Sequence, residues 1–290
     1  AGVISTKGDN AKGIFAQAIG GGGGNGGDTS GATVGVGGGA LQEELAVGMS
    51  TLAGVFGQEW DTTDLKGAAG NAGLVNVATK QTQLAGDIQN IIYTTGKRAD
   101  AIFAQSVGGG GGIGGTASAK LAIGGDGGAA GNGGVVNVTN ALSLVTEGLF
   151  SRGIFAQSIG GGGGTGGDVE NKATVGIGGS GKNAGNADTV TVNNDAVVLT
   201  QGDGAQGILA QSIGGGGGTG GSVEQATIAI GGGTLTSVLE QINAAKLLGT
   251  EVFVEATGGH GDTVTINNSV NGHIVTKGNK ASAILAQSVG

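Results

Sequence analysis

The 290-residue chain contains no cysteine and no proline. Without Cys there is no disulfide and no thiol chemistry, and Cys usage says nothing about redox compartment. Without Pro nearly every backbone N–H can enter a hydrogen-bonded ladder, which suits a sheet. Histidine is confined to His260 and His273. A Ser-His-Asp site built on either would leave most of the chain without a part in it. Charged residues are only 12% of the chain, too sparse for the clustered Asp, Lys and Arg that a β-helix polysaccharide lyase would need on one face. The 13 basic residues against 21 acidic ones give a net charge of −8, and only Lys97 and Arg98 are adjacent. That balance argues against nucleic acid as a partner, which requires clustered cations. It suits a soluble extracellular protein. No apolar run reaches the roughly 18 residues of a transmembrane helix. No signal peptide is evident and position 1 is Ala, so the chain reads as a processed or truncated piece. No G-x-x-x-x-G-K-[ST] motif is present. Neither catalysis nor a cofactor is expected.

Glycine is abundant instead: 71 residues, against a usual share of roughly 7%. Collagen is excluded by the missing Pro and the missing G-X-Y period. Disorder fits poorly, because 38% of residues are hydrophobic and disordered segments are polar and charged. The apolar residues are mainly Val, Ile, Leu and Ala in short runs between glycines, which reads as strands.

The strongest signal is self-similarity. An apolar segment centred on Gln recurs around Gln17, Gln105, Gln157, Gln211 and Gln287. The first four copies run straight into five glycines: Gly20–Gly24, Gly108–Gly112, Gly160–Gly164 and Gly214–Gly218. One variable residue follows (Asn25, Ile113, Thr165, Thr219), then Gly-Gly. A Thr stands eleven residues before each Gln (Thr6, Thr94, Thr146, Thr200, Thr276), and a Gly two residues after each Thr. Two further strand-like segments follow each glycine run, such as Ala173–Ile177 and Thr189–Val192. Gln17 to Gln105 is 88 residues, and the next intervals are 52, 54 and 76. The base period is therefore near 53, and the two longer intervals hold insertions near 40–66 and 234–257, at the same junction. In the second, Ser237 and Glu240 form a candidate capping box, Leu239 and Ile242 lie on one side, and Gly249 is a natural stop, which predicts a short helix. The first reads more weakly as a helix. Each insertion is read as a packed flap or as a partner-binding protrusion. Trp60, the lone Trp, is a packing anchor or a contact for a sugar or other partner.

Units of this kind bury no core alone. Stacking them pairs each strand with copies above and below, about 4.8 Å away. The expected fold is all-β, a β-solenoid like a parallel β-helix, with residues 1–290 forming one solenoid of about four 53-residue repeats and short helical insertions. The glycine runs are expected at turns where backbones approach closely, using positive φ or an extended polyglycine-like conformation. The recurring Gln is expected to form a hydrogen-bonded ladder inside or along the solenoid. The metal-ligand candidates are Asp188 and Asp262, in segments that faintly resemble calcium-binding G-G-x-G-x-D repeats. They are not in tandem, so each is read as an Asp in a turn and no metal is expected.

The block I-[FL]-A-Q-[SA]-[IV]-G-G-G-G-G-x-G-G resembles the glycine-rich repeats of large Gram-negative autotransporter passengers and related surface adhesins. The resemblance spans the chain outside the two insertions. It implies export to the cell surface, a β-solenoid stalk, and attachment to the outer membrane through a barrel domain absent from these residues. No active-site residue carries over. Two functions are expected from this reading. One is an extracellular structural protein, a fibre, stalk or biofilm matrix, whose partners are further copies end to end or the rest of a longer chain. The other is an adhesin that binds a host receptor or glycan through insertions on one face.

Overall fold

The computed structural model describes residues 2–37, 68–81, 90–170, 173–226, 228–230 and 257–290. Outside them lie the insertion at 40–66 with Trp60, all but the last residue of the insertion at 234–257, and the helix expected within it. The described residues are all-β, with eighteen strands and no helix.

The strands form four sheets. The first holds β1 (Val3–Thr6), β5 (Ile91–Thr94), β9 (Ser143–Thr146), β13 (Val198–Thr200) and β17 (Ile274–Thr276), adjacent in that order. The second holds β2 (Ile14–Ile19), β6 (Ile102–Val107), β10 (Ile154–Ile159), β14 (Ile208–Ile213) and β18 (Ile284–Val289). The third holds β3 (Thr29–Val36), β7 (Ala117–Ile123), β11 (Val175–Ile177) and β15 (Ile228–Ile230). The fourth holds β4 (Val75–Ala78), β8 (Val136–Asn140), β12 (Val190–Asn194) and β16 (Val264–Asn268). The chain visits the sheets in this order and then starts again, so every neighbour in a sheet comes from the next circuit. All pairings are parallel.

Side-chain alternation explains why these segments pair as they do. In β6 and β8 alternate residues are buried, as a strand with one face on a core requires. Ile102, Ala104, Val136, Val138, Ile154 and Val190 belong to one apolar cluster shared by the first, second and fourth sheets. The third sheet packs on a smaller cluster of Ala117, Ala122, Val169 and Ala173. A register slip by one residue would turn each inward set outward, so the pattern holds the pairing in place. One irregularity occurs, between Ser30 and Ala32 of β3, where its register against β7 shifts.

Candidate functional site

The recurring glutamines fall on a single line. Pairing in the second sheet puts Gln17, Gln105, Gln157, Gln211 and Gln287 side by side. The Nε2 of each of the first four donates to the Oε1 of the next: 2.7 Å from Gln17 to Gln105, 2.9 Å to Gln157, 3.2 Å to Gln211, then on to Gln287. They stand on the outward face, opposite Ile14 and Ala16, which pack on the core. Phe15 and Phe103 share that face with ring centroids 4.9 Å apart, and Phe103 meets Phe155 edge-on at 5.0 Å.

The invariant spacing of Thr to Gln has a local cause. Each Thr hydroxyl donates to the carbonyl five residues on: Thr6 to Ala11 at 2.6 Å, Thr146 to Ser151 at 2.6 Å, Thr200 to Ala205 at 2.7 Å, Thr276 to Ala281 at 2.9 Å, and likewise Thr94 to Ala99. These bonds close the corner between the first and second sheets. At the fourth residue after each Thr the backbone turns left-handed: Asn10, Arg98, Phe150, Gly204 and Lys280 have φ between 51° and 66°. The Gly two residues after each Thr is needed for proximity. A Cβ on Gly148 would stand 1.8 Å from the Gly96 carbonyl oxygen, and one on Gly202 would stand 1.9 Å from that of Gly148.

The five-glycine runs are neither sheets nor positive-φ turns; Gly204 is the one described glycine with positive φ. Their amides are used with a period of three. Gly20, Gly23 and Gly26 donate to Val107, Gly110 and Ile113 in the next circuit at 2.7–2.8 Å. Gly108, Gly111 and Gly114 do the same to Ile159, Gly162 and Thr165. A strand would alternate with period two; three residues per turn is the geometry of polyproline II. The residue after each axial donor bonds sideways. One chain of such bonds zigzags between this segment and the glycine-rich segment leading to the fourth sheet. Gly70 donates to Gly21, Gly109 to Gly70, Gly131 to Gly109, Gly161 to Gly131, Gly185 to Gly161, Gly215 to Gly185 and Gly259 to Gly215, all between 2.7 and 3.1 Å. In the circuits that have a neighbour on both sides, side chains have no room at the first two positions of a triplet. A Cβ on Gly109 would lie 1.9 Å from the Gly21 oxygen, and one on Gly108 would lie 2.0 Å from the Gly131 oxygen.

The third position faces out. A Cβ on Gly110 or Gly216 meets nothing within 4 Å. Asn25, Ile113, Thr165 and Thr219, the variable residues after each run, occupy the next outward position, which is why the repeat tolerates any side chain there. The outward amides that follow are taken by side chains of the adjacent circuit. Asp28 accepts from Thr116 N–H at 2.8 Å, Asp126 from Ser180 at 2.8 Å, Asp168 from Ser222 at 2.7 Å, and Asn132 from Asn186 at 2.8 Å. The Thr116 N–H bond holds the Asp28 carboxyl below its ordinary pKa. Just past the fourth sheet, the Ser269 and Asn271 side chains do the same for Asp195. Together the axial, sideways and side-chain partners give the polyglycine backbone the hydrogen bonds that burial demands.

Asp188 and Asp262 occupy equivalent turns one circuit apart. The Oδ1 of each accepts the backbone N–H of the residue that follows it, Thr189 and Thr263. Their own backbones are clasped by the recurring Ser of the second sheet: Ser158 Oγ accepts from Asp188 N–H, while Ser212 Oγ donates to Asp188 O and accepts from Asp262 N–H, at 2.8–2.9 Å. Among the described residues no three His, Cys, Asp or Glu side chains converge on a metal-sized site. His260 and His273 do not join a nucleophile and a carboxylate in any hydrogen bond of the described residues.

Reading the sequence by composition missed a cationic cleft. The basic residues are scattered along the chain, yet the corner between the first and second sheets gathers Lys12, Arg98 and Arg152 around a cavity of about 420 Å³ with Phe150 in its wall. Lys12 and Arg152 each stand six residues after their Thr, and Arg98 four after Thr94, which was the available signal. No protein-family model, curated protein or solved structure matches the chain.

Proposed function

We propose that this chain is a stretch of an extracellular structural protein, a parallel β-solenoid whose roughly 53-residue glycine-rich units stack into a fibre, stalk or matrix. The observation that carries the reading is that successive circuits are equivalent. Strand register, Gln ladder, Thr corner and sideways glycine bonds repeat from one circuit to the next. Among the described residues each sheet keeps one unpaired edge at either side of the stack, and such an edge is a template for another strand. Further units, in the same chain or in another copy, extend the stack with bonds it already uses. The resemblance to autotransporter passengers adds display at the cell surface with anchorage in the outer membrane. On this reading the chain carries no catalytic site and no cofactor.

Electron microscopy of the natural material, with its axial repeat read by diffraction, tests this. The expected result is continuous fibres or surface-attached rods with a layer line near 4.8 Å along the axis. Dispersed particles without that axial repeat would overturn it. The adhesin reading is favoured by one observation: both long insertions fall at the same junction in the chain, between a strand of the third sheet and one of the fourth, after β3 and after β15. Deleting both and measuring attachment to cells or glycans separates the two. Lost attachment with the rod intact favours the adhesin, and unchanged attachment favours the fibre.

A further inference from the structure

We infer that the cleft at the corner between the first and second sheets binds an acidic polysaccharide. The inference does not depend on the fibre reading. The cleft lies between two columns of residues that the Thr corner repeats in each circuit. The left-handed column reads Asn10, Arg98, Phe150, Gly204, and the column two residues on reads Lys12, Asp100, Arg152, Gln206. In a chain of net charge −8, this corner places three cations around one cavity of about 420 Å³.

The cations are not equivalent. Arg152 is committed: its Nε and Nη2 bond the two oxygens of the buried Asp100 at 2.9 and 3.0 Å, and its guanidinium lies 3.8 Å from the Phe155 ring centre. Lys12 has no carboxylate partner among the described residues. Its Nζ reaches only the Asn10 and Arg98 carbonyls, at 3.3 and 3.4 Å, and stands 5.5 Å from the Phe103 ring centre. The Arg98 side chain is exposed and makes no hydrogen bond or ion pair among the described residues. The carboxylates one position before Asn10 and Gly204 each accept a backbone N–H from the adjacent circuit, Asp9 from Lys97 and Asp203 from Asn279. Lys12 and Arg98 therefore line the cavity without an ion pair among the described residues.

The shape narrows the ligand. The cleft runs along the stack over four circuits, about 14 Å at roughly 4.8 Å per layer. A free anion would need one guanidinium, whereas an extended chain with recurrent negative charge uses both cations at once. Phe150 is 55% exposed and its ring lies over Gly204, where a Cβ would stand 2.5 Å from Cδ1. It offers an apolar face beside the charges, and Gln206 and Asn10 offer amides to hydroxyls. Sugar rings bearing carboxylate or sulfate meet all three demands. The oxyanion is shared by both kinds of acidic sugar, and the choice of probe separates them.

The test is titration of the chain at low salt with polygalacturonate, dextran sulfate, neutral dextran and single-stranded polynucleotide. The expected result is binding of at least one acidic polysaccharide, weakened by added salt, and none of dextran; the tighter of the two names the oxyanion. Arg98→Asn with Lys12→Gln places at each site a residue that another circuit already carries, so the left-handed backbone is kept. This double variant should lose roughly tenfold or more in affinity, the scale of one or two charge-assisted hydrogen bonds. Arg98→Lys, matching Lys280 of the same column, should retain most of it. The inference is overturned if neither acidic polysaccharide binds, if the double variant binds as tightly as the parent, or if polynucleotide binds as well and with the same sensitivity.

Discussion

The second sheet and the glycine runs that follow it are consecutive in the chain and stack on the same neighbours, yet they obey different rules. In the sheet the repeat unit is two residues, one in and one out. Side chains supply the order: Ile and Ala inward, Phe, Gln and Ile or Val outward. In the polyglycine stretch the repeat unit is three, and backbone supplies everything, bonding along the axis at one residue and sideways at the next. A sheet absorbs a changed side chain by repacking. A stretch whose backbones lie where Cβ atoms would be cannot, because nothing flexible stands in the way. Abundant glycine is therefore a steric requirement here, unlike the flexibility it provides in linkers.

The contrast is sharpest within one run. Gly109→Ala should cost about 3 kcal/mol or more, since its Cβ would have to displace the Gly21 carbonyl. Gly110→Ala, one residue on, should be neutral or slightly stabilising, because its Cβ meets open space. Denaturant midpoints of the two variants decide this, and equal losses would refute the three-residue rule. Thr146→Val comes next. It keeps the shape but removes the donor to the buried Ser151 carbonyl, and about 1–3 kcal/mol should be lost in the same measurement. Gln157→Leu should cost less, about 1 kcal/mol. It breaks two rungs of the ladder on an outward face where an apolar side chain packs between Phe155 and Ile159. A loss as large as that for Gly109 would put the ladder, rather than the glycines, at the centre of stability.

The smallest effect is on acid stability. The Asp28 and Asp195 carboxyls sit below their ordinary pKa because they accept hydrogen bonds. Such groups contribute stability above the unfolded-state value, and it is lost as pH falls through the lowered one. Unfolding midpoints should therefore drop below the ordinary carboxylate range, and the Asp28→Asn and Asp195→Asn variants should flatten that decline. A profile identical to the parent's would remove both residues from the account.

Much of the architecture was legible because the motif repeats. The spacings of Gln and Thr placed equivalent strands, and the short apolar runs between glycines, such as Thr189–Val192, marked strand segments. The serine after Gln was visible but not explicable, since its partners, such as Asp188 and Asp262, lie in the segment leading into the fourth sheet, 24 to 50 residues away in the chain. Positive φ was one of two conformations expected of the glycine runs, and the structure uses the other. Among the described residues positive φ belongs instead to Asn10, Arg98, Phe150, Gly204 and Lys280 at the Thr corner and to Gln225, and five of these six are not glycine.

The sequence by itself determined the all-β character, the parallel stacking of equivalent segments and the stretches where side chains are absent, because short apolar runs between glycines and motif spacing are properties of the chain alone. Only the tertiary structure decided which glycine in each run is indispensable, why the residue after the run varies, and that Lys12, Arg98 and Arg152 meet. Those depend on contacts between residues some 50 to 90 positions apart. The circuit length and the three-residue winding of the glycine segments bring them together, and neither is written in any one segment.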